Sequence, residues 1–212
     1  GTAAILSKGW PVVLALDAWW RKRRSAAVGY AAFLGGLGAF LLLTPGFREG
    51  RDFEGIHSET VAGSFVLLLR AVGDRSLELV GTAGATYVSV PDWVLVAGPA
   101  LGGGMVLWSL RLLRRPHSDR GAMALLSGTT IGIIVASPLF SPQFLLWPTP
   151  FLALHSRSSV RRLATAVNAV TLVYMLWWAE MLAGSVLLLG ILVARNAGLV
   201  ALGFLAARPG PR

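Results

Sequence analysis

The chain has 212 residues, of which 55% are hydrophobic and only 14% charged, and its mean hydropathy is +0.66. About a quarter of the residues in a soluble domain are charged, so this composition excludes an ordinary soluble fold and predicts a polytopic helical membrane protein. The net charge of +9 comes from short basic clusters between apolar runs, without the interleaved aromatics of a nucleic-acid surface, so we predict no nucleic-acid partner. The sequence has no cysteine, which excludes disulfides and thiolate metal ligands. Its three histidines are scattered, with none at ligand spacing, so no metal site is assigned and one would need carboxylate ligands.

Apolar runs long enough to cross a bilayer, which takes about 20 residues, follow one another along the chain. Seven spans are predicted, at 3–20, 26–44, 93–113, 122–137, 144–154, 163–182 and 186–206. The apolar stretch 61–72 is too short to cross, and residues 46–60 and 73–91 are predicted outer loops, the second rich in Gly, Ser and Thr. The predicted fold class is therefore all-α, a transmembrane bundle of about seven spans within one domain, 1–212.

The basic clusters predict the orientation of this bundle. They lie at 21–24, 111–120, 155–162 and 208–212, and two predicted crossings separate each successive pair. Because basic loops favour the cytoplasmic side, all four are placed there. The opposite face then receives the loops at 47–60 and 73–91 and the turns near 137–143 and 183–185. We therefore predict a multi-pass cell-membrane protein in contact with membrane lipids.

Residues 141–150, Ser-Pro-Gln-Phe-Leu-Leu-Trp-Pro-Thr-Pro, interrupt one of the apolar runs with three prolines and two polar side chains at its start. Proline removes a backbone donor and blocks the helix ladder, so this segment predicts a short or broken helix. Backbone groups freed inside a membrane must face protein or a water-filled cavity. Ser141 and Gln143 are therefore candidate substrate-binding residues on the outer face, although simple helix capping is an alternative for Ser141.

Charged residues of the predicted outer face concentrate at 48–60. His57 and Glu59 directly precede the apolar stretch 61–72, so we expect them at or below the membrane surface, where ionisable groups are costly and usually paired or functional. Arg48 and Arg51 are candidate phosphate ligands through forked hydrogen bonds. His57 and Glu59 are candidates to orient a hydroxyl or move a proton. A solvated loop whose charges pair among themselves is the open alternative.

Other ionisable residues are weaker candidates. Asp92 follows a proline and is predicted to cap the next span. Glu180 lies inside a predicted span, near its outer end. His117 and His155 fall in predicted cytoplasmic loops, so we expect both to be solvated.

Three segments in order resemble motifs of one family. They are Lys-Gly-Trp-Pro at 8–11, Gly-Ile-His-Ser-Glu-Thr at 55–60 and the Ser-Pro-Gln segment at 141–150. The resemblance is to the actinobacterial polyprenyl-phosphate-mannose-dependent mannosyltransferases, integral membrane glycosyltransferases of the GT-C type. The match to the second motif has two departures. Glu54, directly before the segment 55–60, stands where the family motif has an arginine, and Ser58 stands where it has a hydrophobic residue.

The resemblance implies transfer of a sugar, mannose in the family, from a polyprenyl-phosphate donor to a lipid or glycan hydroxyl at the outer face. No cofactor is implied. Arg51 and His57 would then hold the phosphate or the acceptor, Glu59 would orient them, and Gln143 would bind the sugar or brace the site. The family's catalytic aspartate lies in a first outer loop that is not found upstream of Lys8. We therefore expect this chain to be the C-terminal portion of such an enzyme, with the general base outside it.

Two other classes of function remain open. A transporter or flippase of a lipid-linked substrate would also use a broken helix, but it calls for polar groups at mid-span, where the residues here are nearly all apolar. A non-catalytic membrane scaffold would leave the loop at 47–60 merely solvated.

Overall fold

The computed structural model describes residues 55–73, 79–82, 85–114, 118–138 and 140–208. The helices in these ranges are α1 (Val61–Val72), α2 (Asp92–Leu110), a 3₁₀ turn (Arg111–Arg114), α3 (Asp119–Ala136), a second 3₁₀ turn (Pro142–Leu146), α4 (Thr149–Ala153), α5 (Ser158–Leu176), α6 (Trp178–Leu182) and α7 (Val186–Ala206). Three short strands accompany them, β1 (Ile56–His57), β2 (Leu79–Thr82) and β3 (Ala85–Val88). The predicted spans at 3–20 and 26–44 and the candidates Arg48 and Arg51 lie outside the described residues.

The described part of the chain is mostly helical, which confirms the predicted helical character. Within it, α2 and α7 are long and apolar enough to cross a membrane, with mean hydropathies of 1.5 and 2.0. Helices α3 and α5 have the length but not the hydropathy, because each carries charged residues near its start and several small polar residues further along. The predicted bundle of about seven spans stays a prediction.

A small antiparallel sheet lies where the sequence predicted only loops. Its strand order is β1-β3-β2, with β2 and β3 forming a hairpin inside the predicted loop 73–91. Val, Thr and Tyr side chains favour strands, but the polar and glycine content of the loop obscured this signal. Strand β1 pairs with β3 in the register Ile56↔Val88 and His57↔Tyr87. The sheet therefore fixes the backbone directly before Glu59.

Helix α1 has the same bounds as the predicted apolar stretch, 61–72, and hydrogen bonds of Thr60 cap its N-terminus. The Thr60 hydroxyl accepts a hydrogen bond from Gly63 N and donates one to His57 O, at 3.0 and 2.8 Å. Such an N-cap stabilises a helix by about 1 kcal/mol. Before the turn, Gly55 has φ +128°, and a Cβ there would lie 2.3 Å from Val88 O. Only glycine fits that approach to β3.

Helix α7 is central to the described structure and packs against α1, α3 and α5. Its buried residues recur every three or four positions, so they form one continuous face: Leu189, Leu192, Arg195, Asn196, Leu199, Leu202, Gly203 and Ala206. Leu189 and Leu192 belong to one hydrophobic core, while Leu199 and Leu202 belong to another. The polar pair at 195 and 196 lies between the two cores.

The proline-rich segment forms a 3₁₀ turn followed by the short helix α4, which confirms the predicted broken helix. It begins near Phe140, whose ring lies 4.5 Å from the Arg195 guanidinium, and it ends at His155, whose Nε2 is 3.1 Å from Ala206 O. Those two points on α7 are 11 residues apart, or about 16 Å at the helical rise. The predicted span 144–154 therefore covers only about half the length of α7.

Candidate functional site

Five buried polar residues meet where α1 begins and α7 reaches its midpoint; we call them the Glu59 cluster: His57, Glu59, Tyr174, Arg195 and Asn196. The Tyr174 hydroxyl donates to Glu59 Oε1 at 2.5 Å, and Arg195 Nη2 donates to the Tyr174 oxygen at 2.7 Å. Arg195 Nη2 is 3.9 Å from Glu59 Oε1, and His57 Nδ1 is 3.7 Å from Oε2. The carboxyl group of Glu59 thus lies between an imidazole and a phenol that is itself bound to a guanidinium.

Backbone contacts from three directions hold this cluster in place. His57 N donates to Pro138 O at 3.0 Å, and Ser58 N donates to Thr86 O at 2.9 Å. Asn196 Nδ2 lies 3.1 Å from both Glu59 O and Thr60 O and 2.7 Å from Ser64 Oγ. The turn that carries His57 and Glu59 is therefore tied to the sheet, to the end of α3 and to α7.

Burial perturbs the proton affinity of Glu59. Its side chain is almost inaccessible to solvent, and burial raises its pKa from 4.5 to about 7, although the Tyr174 hydrogen bond and the Arg195 charge both act to lower it. A carboxyl group with a pKa near 7 exchanges its proton close to neutral pH, which suits general acid or base chemistry.

The imidazole of His57 is uncharged at neutral pH. Burial, followed by the charge of Arg195, lowers its pKa from 6.5 to about 4. The ring stands edge-on to Tyr87, with centroids 5.7 Å apart, and its Nδ1 has no hydrogen-bond partner within the part of the chain that the structure describes. A neutral ring with one uncommitted nitrogen is suited to bind a hydroxyl group.

Arg195 is the functional candidate that sequence reasoning missed. It is the tenth of the 21 residues of α7, only 2% exposed, and its guanidinium lies 4.5 and 5.0 Å from the ring centroids of Phe140 and Tyr174. The sequence does contain a signal for it: Arg195 is an ionisable residue at the centre of the apolar run 186–206, and such residues are usually functional. Arg195 and Asn196 are thus two exceptions to the predicted apolar character of the mid-span residues.

Of the site residues predicted from the sequence, His57 and Glu59 are buried in the cluster, whereas Ser141 and Gln143 are not part of it. His57 and Glu59 lie together and are only 7% and 3% exposed, so the alternative of a solvated loop is wrong for both. Ser141 is the N-cap residue of the 3₁₀ turn, but its side chain makes no capping hydrogen bond. Gln143 is exposed. Pro138 and Phe140, which contact the cluster, lead directly into Ser141, so the structure brings the start of the proline-rich segment to His57, while binding by Ser141 and Gln143 remains a prediction.

The weaker candidates also have definite positions. The prediction that His155 is solvated is wrong, because it is 1% exposed and its Nδ1 accepts a hydrogen bond from Arg157 N. With Nδ1 accepting, Nε2 carries the proton and donates to Ala206 O, which joins the end of the proline-rich segment to α7. Pro91 rather than Asp92 occupies the N-cap of α2, and Asp92 lies in its first turn. Glu180 is exposed on α6, and His117 lies outside the described residues.

Among the residues described, no three His, Asp or Glu side chains form a group that could hold a metal ion. Comparisons with protein-family models, with curated proteins and with solved structures give no match for this chain.

Proposed function

We propose that this chain forms part of an integral membrane glycosyltransferase. It transfers a sugar, mannose by the family resemblance, from a polyprenyl-phosphate donor to a hydroxyl of a lipid or glycan acceptor. One observation carries this proposal. His57 and Glu59, from one motif, are buried side by side, and the His57 backbone is bonded to Pro138, just before the second motif begins at Ser141. The two motifs are about 80 residues apart in sequence.

A membrane location is supported by two helices of spanning length and apolarity. It is also supported by large hydrophobic side chains exposed on the described helices, among them Phe65, Leu69, Trp93, Leu107, Leu172, Leu176 and Leu187. In the proposed membrane location, hydrocarbon tails would solvate these side chains.

In the proposed reaction, the bond between the anomeric carbon and the phosphate oxygen breaks, and the lipid phosphate leaves with the electron pair. A new bond forms between the anomeric carbon and the acceptor oxygen, whose proton passes to a general base, which by the resemblance is an aspartate. His57 supplies a neutral hydrogen-bonding nitrogen for the acceptor or the phosphate. Glu59, which is held by its hydrogen bond to Tyr174, lies 3.7 Å from Nδ1 of that ring and restricts where the ring can lie.

The test is a transfer assay with radiolabelled polyprenyl-phosphate mannose on membranes that contain the full-length protein. We expect His57→Ala and Glu59→Ala to abolish transfer without lowering expression. Glu180→Ala, which removes an exposed carboxylate on α6, is the matched control and should transfer normally. Normal transfer by both cluster variants would contradict the proposal.

A second candidate is a transporter or flippase of a lipid-linked substrate, and one observation favours it. Arg195 and Asn196 place buried polar groups halfway along α7, which removes the sequence argument against transport. Ionisable groups at that position commonly line substrate pathways. Proteoliposomes that move a fluorescent lipid phosphate between leaflets, without transferring sugar, would support this second candidate over the first.

A further inference from the structure

The guanidinium of Arg195 has hydrogen-bond donors that nothing in the described ranges satisfies. An arginine carries five N–H donors, one on Nε and two on each terminal nitrogen. Nη2 donates to Tyr174, whereas Nε and Nη1 are buried and have no partner among the residues that the structure describes. Leaving buried charged donors unpaired costs more than an ordinary hydrogen bond contributes, and native proteins rarely do so. The arrangement therefore calls for an acceptor.

The position of this guanidinium is determined by its neighbours. The rings of Phe140 and Tyr174 lie close to it, which favours a fixed orientation through cation–π contact. The Asn196 amide next to it on α7 binds the backbone at Glu59 and Thr60. Because both the arginine and its surroundings are held, the unsatisfied donors are pre-organised for a ligand.

The local charge favours an anion. Arg195 carries a full positive charge, and the N-terminus of the 12-residue helix α1, with no acidic residue in its first turn, adds a partial positive charge. Within the described part of the chain, the negative charge next to Arg195 is the carboxylate of Glu59, whose Oε1 lies 3.9 Å from Arg195 Nη2. Since burial raises the pKa of Glu59 to about 7, that carboxyl group is only partly ionised at neutral pH and does not fully offset the positive charge.

We propose that Arg195 binds a phosphoryl group of a substrate through its Nε and Nη1 donors, while Nη2 remains on Tyr174. The identification of that group as the phosphate of a lipid donor rests on the proposed function; the binding site itself rests on the geometry of Arg195. Arg195 lies about 14 Å from the start of α7 and its side chain is fully buried, so the phosphate must reach it between the helices.

Binding is tested with purified full-length protein in detergent, by measuring how far a ligand raises the midpoint of thermal unfolding at several concentrations. The ligands are farnesyl phosphate, farnesol and inorganic phosphate. We expect farnesyl phosphate to stabilise the wild type and farnesol to have a much smaller effect. Stabilisation by inorganic phosphate as well would identify a site for phosphoryl groups in general, and stabilisation by farnesyl phosphate alone would identify a lipid phosphate; either supports the proposal.

Two variants assign the binding to Arg195. Arg195→Met should weaken farnesyl phosphate binding by about tenfold or more, because charge-assisted hydrogen bonds are lost. Arg195→Lys keeps the charge beside Glu59, so it guards against misfolding, yet it lacks the planar set of donors and should also bind more weakly. Arg162→Met removes an exposed arginine of α5 and should bind like the wild type.

Unchanged affinity in both Arg195 variants, or equal stabilisation by farnesol and farnesyl phosphate, would overturn this assignment. So would the absence of stabilisation of the wild type by any phosphate. Binding that depends on Arg195 in a protein that transfers no sugar would uphold the anion site and refute the glycosyltransferase. Sugar transfer by Arg195→Lys with an unaltered KM for the donor would uphold the glycosyltransferase and refute phosphate binding by Arg195.

Discussion

His57 and Glu59 should give the folded protein opposite dependences of stability on pH. Burial raises the pKa of Glu59 to about 7, so the folded protein holds this proton more tightly than the unfolded chain does. Its stabilising contribution is present below pH 4.5 and is lost as the pH rises through 7. Burial lowers the pKa of His57 from 6.5 to about 4, so its contribution is present above pH 6.5 and is lost as the pH falls through 4.

The two effects are similar in size. One pKa unit corresponds to about 1.4 kcal/mol, so the difference between the unfolded and folded values is worth roughly 3 kcal/mol for each residue. Both side chains are less than a tenth exposed, so solvent screening reduces these values little. Between pH 4.5 and 6.5 the two contributions have opposite slopes, and in the wild type they nearly cancel.

Single substitutions remove this cancellation. The free energy of unfolding is measured in mixed detergent micelles between about pH 4 and pH 8, by tryptophan fluorescence, for the wild type, His57→Gln and Glu59→Gln. The wild-type value minus that of His57→Gln should increase by about 3 kcal/mol from pH 4 to 6.5. The wild-type value minus that of Glu59→Gln should decrease by a similar amount from pH 4.5 to 7. Subtraction cancels all other titrating groups, so two flat differences would refute the reasoning.

Two further predictions concern the parts that hold the cluster together. Tyr174→Phe removes the hydroxyl between Glu59 and Arg195 and should lower the free energy of unfolding by about 1–3 kcal/mol, because buried polar groups lose their partner; an unchanged unfolding midpoint would contradict this. Gly55→Ala forces a Cβ against Val88 O at a positive φ and should cost about 1–3 kcal/mol. Gly103→Ala, where a Cβ meets open space, is its control, and equal stability of the two glycine variants would show that β1 does not depend on Gly55.

Part of the candidate site could be predicted from the sequence. His57 and Glu59 were identified because two ionisable residues directly precede an apolar stretch, a pattern that depends only on neighbours in the chain. Their partners could not be found in the same way. Tyr174 is 115 residues from Glu59, and Asn196 is 137 residues from it. Contacts at such separations depend on how helices pack. Arg195 was detectable as a charge at mid-helix, but its relation to Glu59 was not.

Local sequence determined the elements of this protein. Apolar length sets the bounds of α1 and α7, which agree with the predicted stretches 61–72 and 186–206, and three prolines break the segment at 141–150, because helix propagation and burial of apolar runs act over a few turns. Tertiary structure alone decided that the hairpin pairs with β1, that the broken segment covers half of α7, and that Arg195 meets Glu59. The physical reason is that buried charges must find partners in space, and the chain order does not specify which helix supplies them.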